Sequence, residues 1–144
     1  MKFRNNYWYL SNMSEAIIEY KGITYKCLEA AFQAQKCPER ANEFANLDGF
    51  KAKKLGRRVQ LRNDWAYIRD NVMWELLNIK FSNPELKEKL KNCKAHDIIE
   101  ENDWNDTYWG VCNGVGKNKL GNMLMLIRAK IKKETENDDA KASL

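Results

Sequence analysis

Between Lys26 and Lys36 the sequence suits a helix, and on it Glu29, Gln33 and Lys36 follow one another at intervals of four and three residues. At 100° per residue they fall within an arc of roughly 60°, which lines up a carboxylate, an amide and an ammonium on one face. A carboxylate beside an ammonium can move protons, activate water or hold an anion. The competing reading is a solvated polar stripe, with Leu28, Ala31, Phe32 and Gln35 facing a core on the other side.

A second region gathers Asn102, Trp104, Asp106, Tyr108 and Trp109 among Gly110, Gly114, Gly116 and Gly121. So much Gly and Asn excludes a regular helix, while the aromatics argue against a disordered linker. The expectation is an ordered loop, a common seat for binding residues.

Several other chemistries are disfavoured. His96 is the only His in the chain, so Ser-His-Asp or Cys-His-Asn catalysis has one imidazole to draw on. Cys93-x-x-His96 has ligand-like spacing, but Cys27, Cys37 and Cys112 are scattered without a knuckle pair, so no metal site is expected. Gly114-Val115-Gly116 lacks the third Gly of a dinucleotide-binding turn and the Lys-Ser/Thr of a P-loop. Carboxylates, aromatics and basic groups remain, a set suited to a reaction that passes through a sugar cation.

The elements that must position these groups are legible in outline. Ala16–Tyr20 and Ile23–Tyr25 read as two strands around a Lys21-Gly22 turn. Pro38 marks the end of the first helix. A second starts near Asn63 or Asp64, with Trp65, Ile68, Val72, Leu76 and Ile79 on its buried face. Pro84 sits in the first turn of a third, capped by Asn83, with Leu86 and Leu90 inward. The last runs from about Asn122 to Lys133, with Leu124, Ile127 and Ile131 in step and Leu120 extending the pattern backward. Residues 134–144 read as a frayed, flexible acidic tail.

The chain has 144 residues, enough for one domain with a single core. Its 44% hydrophobic and 31% charged content excludes a disordered polyampholyte. No apolar run approaches a membrane span, the N-terminal residues do not resemble a secretion signal, and the cysteines read as free thiols, so a cytoplasmic location is expected. The net charge is +5, and four acids against one Lys fall after residue 133, so the body is more basic than the whole. Such a surface attracts phosphates.

Short pieces in order carry a family likeness: Tyr9-Leu10-Ser11-Asn12, Tyr20-Lys21-Gly22, Glu29-Ala30-Ala31-Phe32-Gln33-Ala34-Gln35-Lys36, Ala52-Lys53, Gly56-Arg57 and Arg62-Asn63-Asp64-Trp65. Lys80-Phe81, Glu100-Glu101-Asn102, Asp106-x-x-Trp109-Gly110 and Gly116-Lys117-Asn118-Lys119-Leu120-Gly121 follow, the last leading to Leu124-Met125-x-Ile127-Arg128. In these pieces the chain resembles the NADAR family of YbiA-like N-glycosidases. The resemblance implies an α+β fold, a predominantly helical single domain with a short N-terminal β-hairpin over residues 1–133. It also implies hydrolysis of a C–N bond between ribose and a base-like amine, with no cofactor. The implied substrates are ribosylamino-pyrimidine phosphates of riboflavin synthesis or ADP-ribose attached to guanine in nucleic acid.

Family positions for catalysis and sugar binding carry over to Glu29, Trp65, Asp106 and Trp109. Glu29 is expected as base for water and Asp106 as a group for the sugar hydroxyls or cation. The indoles of Trp65 and Trp109 are expected to face the ribose and leaving group, although core packing is the alternative for Trp65. Lys36 is expected to bind phosphate, hold Glu29 ionised, or attack an open-chain ribose as an amine. Asn12, Gln33, Lys53, Arg57 and Asn118 complete the candidate substrate contacts. Many family members read Ser-Glu-His where this chain has Leu28-Glu29-Ala30, so no imidazole assists here. A non-catalytic module that binds ADP-ribose or nucleic acid is the alternative function.

Overall fold

The computed structural model describes residues 1–143 and has the α+β, predominantly helical architecture expected. Two compact units are distinguished, one from Arg4 to Lys80 and one combining Met1–Phe3 with the chain from Phe81 onward. Among the described residues, no helix is long and apolar enough to cross a membrane. All four cysteines are buried and free.

The first unit opens with a 3-10 helix, Asn5–Leu10, and a turn over residues 11–14. Strands β1 (Glu15–Tyr20) and β2 (Ile23–Cys27) then pair antiparallel, with Tyr20 opposite Ile23. Lys21 and Gly22 both have positive φ, the twist a two-residue hairpin turn requires. Ile18, Tyr20, Tyr25 and Cys27 face the core. The Tyr20 hydroxyl donates to the Glu75 carboxylate on the long helix of the unit, and burial raises its pKa.

Helix α1 (Leu28–Ala34) is shorter at both ends than the periodicity suggests. Cys27 is still paired with Glu15, so the helix begins only after it, and Gln35 and Lys36 form a turn. A 3-10 helix, Pro38–Phe44, and α2 (Gly49–Gly56) follow. Asp48 caps α2 by accepting from the Lys51 amide at 2.8 Å.

Helix α3 (Trp65–Lys80) buries Trp65, Val72, Met73, Leu76, Leu77 and Lys80. Each of its fully buried aliphatic side chains contributes about 1.5–3 kcal/mol relative to exposure. At its start the Asp64 carbonyl accepts from Tyr67 and Ile68, while the Asp64 carboxylate is bonded by Arg62 Nε and Nη2 at 2.6 and 3.1 Å.

Lys80 is 1% exposed. Burial pushes its pKa down to about 7, with Cys27 acting in the opposite sense. An unfolded Lys titrates near 10.4, so between pH 7 and 9 the unfolded chain holds more of this proton and stability rises with pH. Urea denaturation at the two pH values should show wild type gaining about 2 kcal/mol that Lys80→Met does not gain. An equal change in both proteins would contradict the buried amine.

In the second unit α4 (Pro84–Lys91) starts as expected, the Asn83 side chain accepting from the Glu85 and Leu86 amides. Two minimal strands, β3 (Glu101–Asn102) and β4 (Val111–Cys112), pair in parallel. Helix α5 (Lys119–Ala142) extends beyond the expected range at both ends. Leu120 joins the buried row of Leu124, Ile127 and Ile131. Beyond Ile131 no Gly or Pro interrupts the helix before Ala142, so it propagates through most of the segment expected to fray. Glu134 pairs with Lys87 at 3.5 Å, and Leu144 lies outside the described residues.

Candidate active site

The polar residues of α1 do not form a solvated stripe. Gln33 is 4% exposed and Glu29 and Lys36 are half-buried, because α1 is covered on both sides. Gln33 Nε2 donates to Glu29 Oε1 at 2.9 Å across one helical turn. The amide expected to meet substrate therefore orients the carboxylate. Gln33 Oε1 is buried without a hydrogen-bond partner.

What confines Gln33 is α2, which packs on α1. A Cβ added at Gly56 would lie 2.0 Å from Gln33 Oε1, so only a glycine lets α2 approach this closely. Gly56→Ala should force the amide away from Glu29 and destabilise the protein by about 1–3 kcal/mol in urea denaturation. In a Gln33→Ala background the penalty should largely disappear.

Lys36 lies where the fields of α1 and α2 meet. Burial lowers its pKa, the Glu29 carboxylate raises it, and the Lys53 and Arg57 cations lower it further. Glu29, Gln33, Lys36, Lys53 and Arg57 thus form one electrostatic cluster in the first unit. Asn12 adjoins it: its carbonyl accepts from the Glu29 amide at 3.0 Å, and its Nδ2 reaches Met73 Sδ at 3.6 Å. Asn12 Oδ1, like Gln33 Oε1, is buried without a hydrogen-bond partner. Trp65 is 7% exposed with its ring 5.1 Å from that of Phe32, so core packing accounts for most of its surface.

The second unit holds Asp106, Trp109 and Asn118. Asp106 Oδ1 accepts from the Tyr108 and Trp109 amides at 3.1 and 2.9 Å, which closes the loop under Trp109. Asn102 builds that loop from the other side, accepting from the Asp106 amide at 3.0 Å and donating to the Asp106 carbonyl at 2.8 Å. Trp109 is half-buried, its ring edge-on to Tyr108 at 4.9 Å. Asn118, expected to touch substrate, is 8% exposed and bonds the Ile98 carbonyl and the Glu100 amide, each at 2.9 Å. Its amide ties α5 to the strand region.

A hollow on this unit lined by Lys91, Lys94, His96, Arg128 and Lys132 contains none of the candidate residues. Cys93 is buried, whereas the His96 side chain is 98% exposed and sits 3.1 Å from Asp97.

The NADAR domain family matches residues 2–132. The chain belongs to the NADAR family. An N-glycosidase YbiA of Shigella flexneri is 32% identical over 134 residues, covering 88% of this chain and 83% of that protein. A riboflavin biosynthesis protein of Vibrio vulnificus is 30% identical over 133 residues, which cover 88% of this chain but 36% of that longer protein. The NMR structure of Escherichia coli YbiA superposes with a TM-score of 0.80 at 31% identity, covering 94% of this chain and 86% of that one. This NADAR protein is accordingly an enzyme of the N-glycosyl hydrolase type.

The sequence places Asn102 in the loop without revealing that it builds the Asp106 turn, and it carries no sign of the Gly56–Gln33 contact. The signal for Asn102 was present in Asn102-x-x-x-Asp106, two loop-forming side chains bracketing an exposed Trp104.

Proposed function

We propose that this NADAR enzyme hydrolyses the C–N bond of a phosphorylated ribosylamine of the ribosylamino-pyrimidine class. The observation that carries the reading is the Glu29 carboxylate, held by Gln33 and set among the cations Lys36, Lys53 and Arg57. Lys53 and Arg57 suit the substrate phosphate. The likeness to a protein named for riboflavin biosynthesis supports the pyrimidine class.

Lys36 is desolvated and flanked by cations, two conditions that lower a lysine pKa and favour the free amine, against the pull of Glu29. In the open-chain form of the substrate, C1 is an imine carbon. The Lys36 amine adds to C1, Glu29 carries the two protons of the Lys36 nitrogen in turn to the pyrimidine nitrogen, and as the second arrives the C1–N bond to the pyrimidine breaks, releasing its free amine and leaving the Lys36 imine. Water activated by Glu29 then adds to the Lys36 imine, releasing the ribose phosphate aldehyde and restoring the amine. No redox step is involved.

Incubation with a ribosylamino-pyrimidine phosphate, with release of ribose phosphate as readout, tests the reading against a Glu29→Gln control. No release above that control would overturn it. A second substrate, ADP-ribose linked to guanine in nucleic acid, is supported by the loop that carries the half-exposed Trp104. There Lys117 and Lys119 lie over the Tyr108 ring, a basic and aromatic surface suited to bases and phosphates. Release of ADP-ribose from modified DNA, with binding that weakens steeply with salt, would identify this substrate instead.

A further inference from the structure

Lys80 closes the C-terminal turn of α3 inside the protein rather than in water, and its amino group is aimed at one short turn. Nζ donates to the Ser11 carbonyl at 2.9 Å and to Ser14 Oγ at 3.1 Å. The same Ser11 carbonyl accepts from the Ser14 amide at 3.1 Å and the Ser14 hydroxyl at 2.8 Å, while Ser11 Oγ accepts from the Met13 amide at 3.1 Å. An apolar side chain would fill this space without the cost of desolvating an amine, so the polar group needs a reason.

The turn supplies it. Between Ser11 and Ser14 stands Asn12, whose carbonyl takes the Glu29 amide at 3.0 Å and so fixes the first turn of α1. With only seven residues, α1 has little internal rigidity of its own. Its carboxylate is steadied at the side chain by Gln33 and at the backbone by Asn12.

We propose that Lys80 is a positioning residue for Glu29: its buried amine knots the Ser11–Ser14 turn, and through the Asn12 carbonyl that turn holds the backbone from which Glu29 projects. Its effect on turnover rests on Glu29 being the working carboxylate, as proposed above. Its effect on the backbone does not.

The test compares wild type, Lys80→Met and Ser14→Ala by amide hydrogen exchange and by kinetics on a ribosylamino-pyrimidine phosphate. Exchange at the Glu29 amide should accelerate about tenfold in Lys80→Met and about threefold in Ser14→Ala, with the hairpin amide of Tyr25 changing less. In the same variants kcat should fall by about the same factors with KM nearly constant, the signature of a misplaced catalytic group. Exchange at Glu29 that is unchanged, or faster only in step with Tyr25, would overturn the proposal, as would loosening of Glu29 with undiminished kcat. Should Lys80→Met fail to fold, Ser14→Ala alone decides by the same comparison. If Glu29→Gln turns over like wild type, the catalytic reading of Glu29 fails, and the exchange data still judge the link from Lys80 to the α1 backbone.

Discussion

Lys36→Met should reduce kcat/KM on a ribosylamino-pyrimidine phosphate by on the order of 10⁴-fold, roughly 5 kcal/mol of transition-state stabilisation. The reason lies in the surroundings of the amine. A solvated lysine is almost fully protonated at neutral pH and adds to nothing. Burial lowers the pKa of Lys36, and Lys53 and Arg57 lower it further, against the pull of Glu29. Borohydride added during turnover should reduce the imine and leave a ribose phosphate adduct on Lys36, visible by mass spectrometry and absent from Lys36→Met. Full turnover without any adduct would confine Lys36 to electrostatics. Activity should fall as pH drops through the lowered pKa, since protonation removes the attacking electron pair.

Glu29→Gln should lower kcat by about 10²- to 10⁴-fold, the range typical of a positioned acid-base group. Gln is isosteric, so the fold should persist, and its amide can still meet Gln33 after a flip. What it loses is the ability to carry a proton from the attacking amine to the departing nitrogen and to activate water. The KM should change little, because phosphate binding is assigned to Lys53 and Arg57. A tenfold rise in KM with unchanged kcat would assign Glu29 to binding.

Much of the scaffold was legible because its signals are local. Asn83-Pro84 announces a capped helix, Lys21-Gly22 a tight turn, and the row from Trp65 to Ile79 a helix with one buried side. Helix α2 escaped because its buried residues are Gly49, Ala52 and Gly56. Small side chains permit close packing but leave no hydrophobic period to see. The burial of Gln33 escaped for the same reason, since only the approach of Gly56 covers an amide that spacing alone assigns to solvent.

Lys80 was hidden by its place at the end of an apolar row, where a lysine ordinarily complements the helix dipole from water. Its partners lie 69 and 66 residues away, beyond any local pattern. Asp106 shows the converse. The family likeness singles it out as a site candidate, but one of its oxygens is engaged by the backbone of its own loop, a local bond that side-chain type does not reveal.

The end of α5 buries no residue after Ile131, yet past the half-buried Thr135 the helix runs on to Ala142 with every residue exposed, an overhang of roughly 10 Å at 1.5 Å per residue. A fluorophore or surface tether attached through a cysteine introduced at the exposed Asp139 would ride on that rod, and the four native thiols, all buried, would compete little for the reagent. The overhang is thus a handle for immobilising or labelling the enzyme.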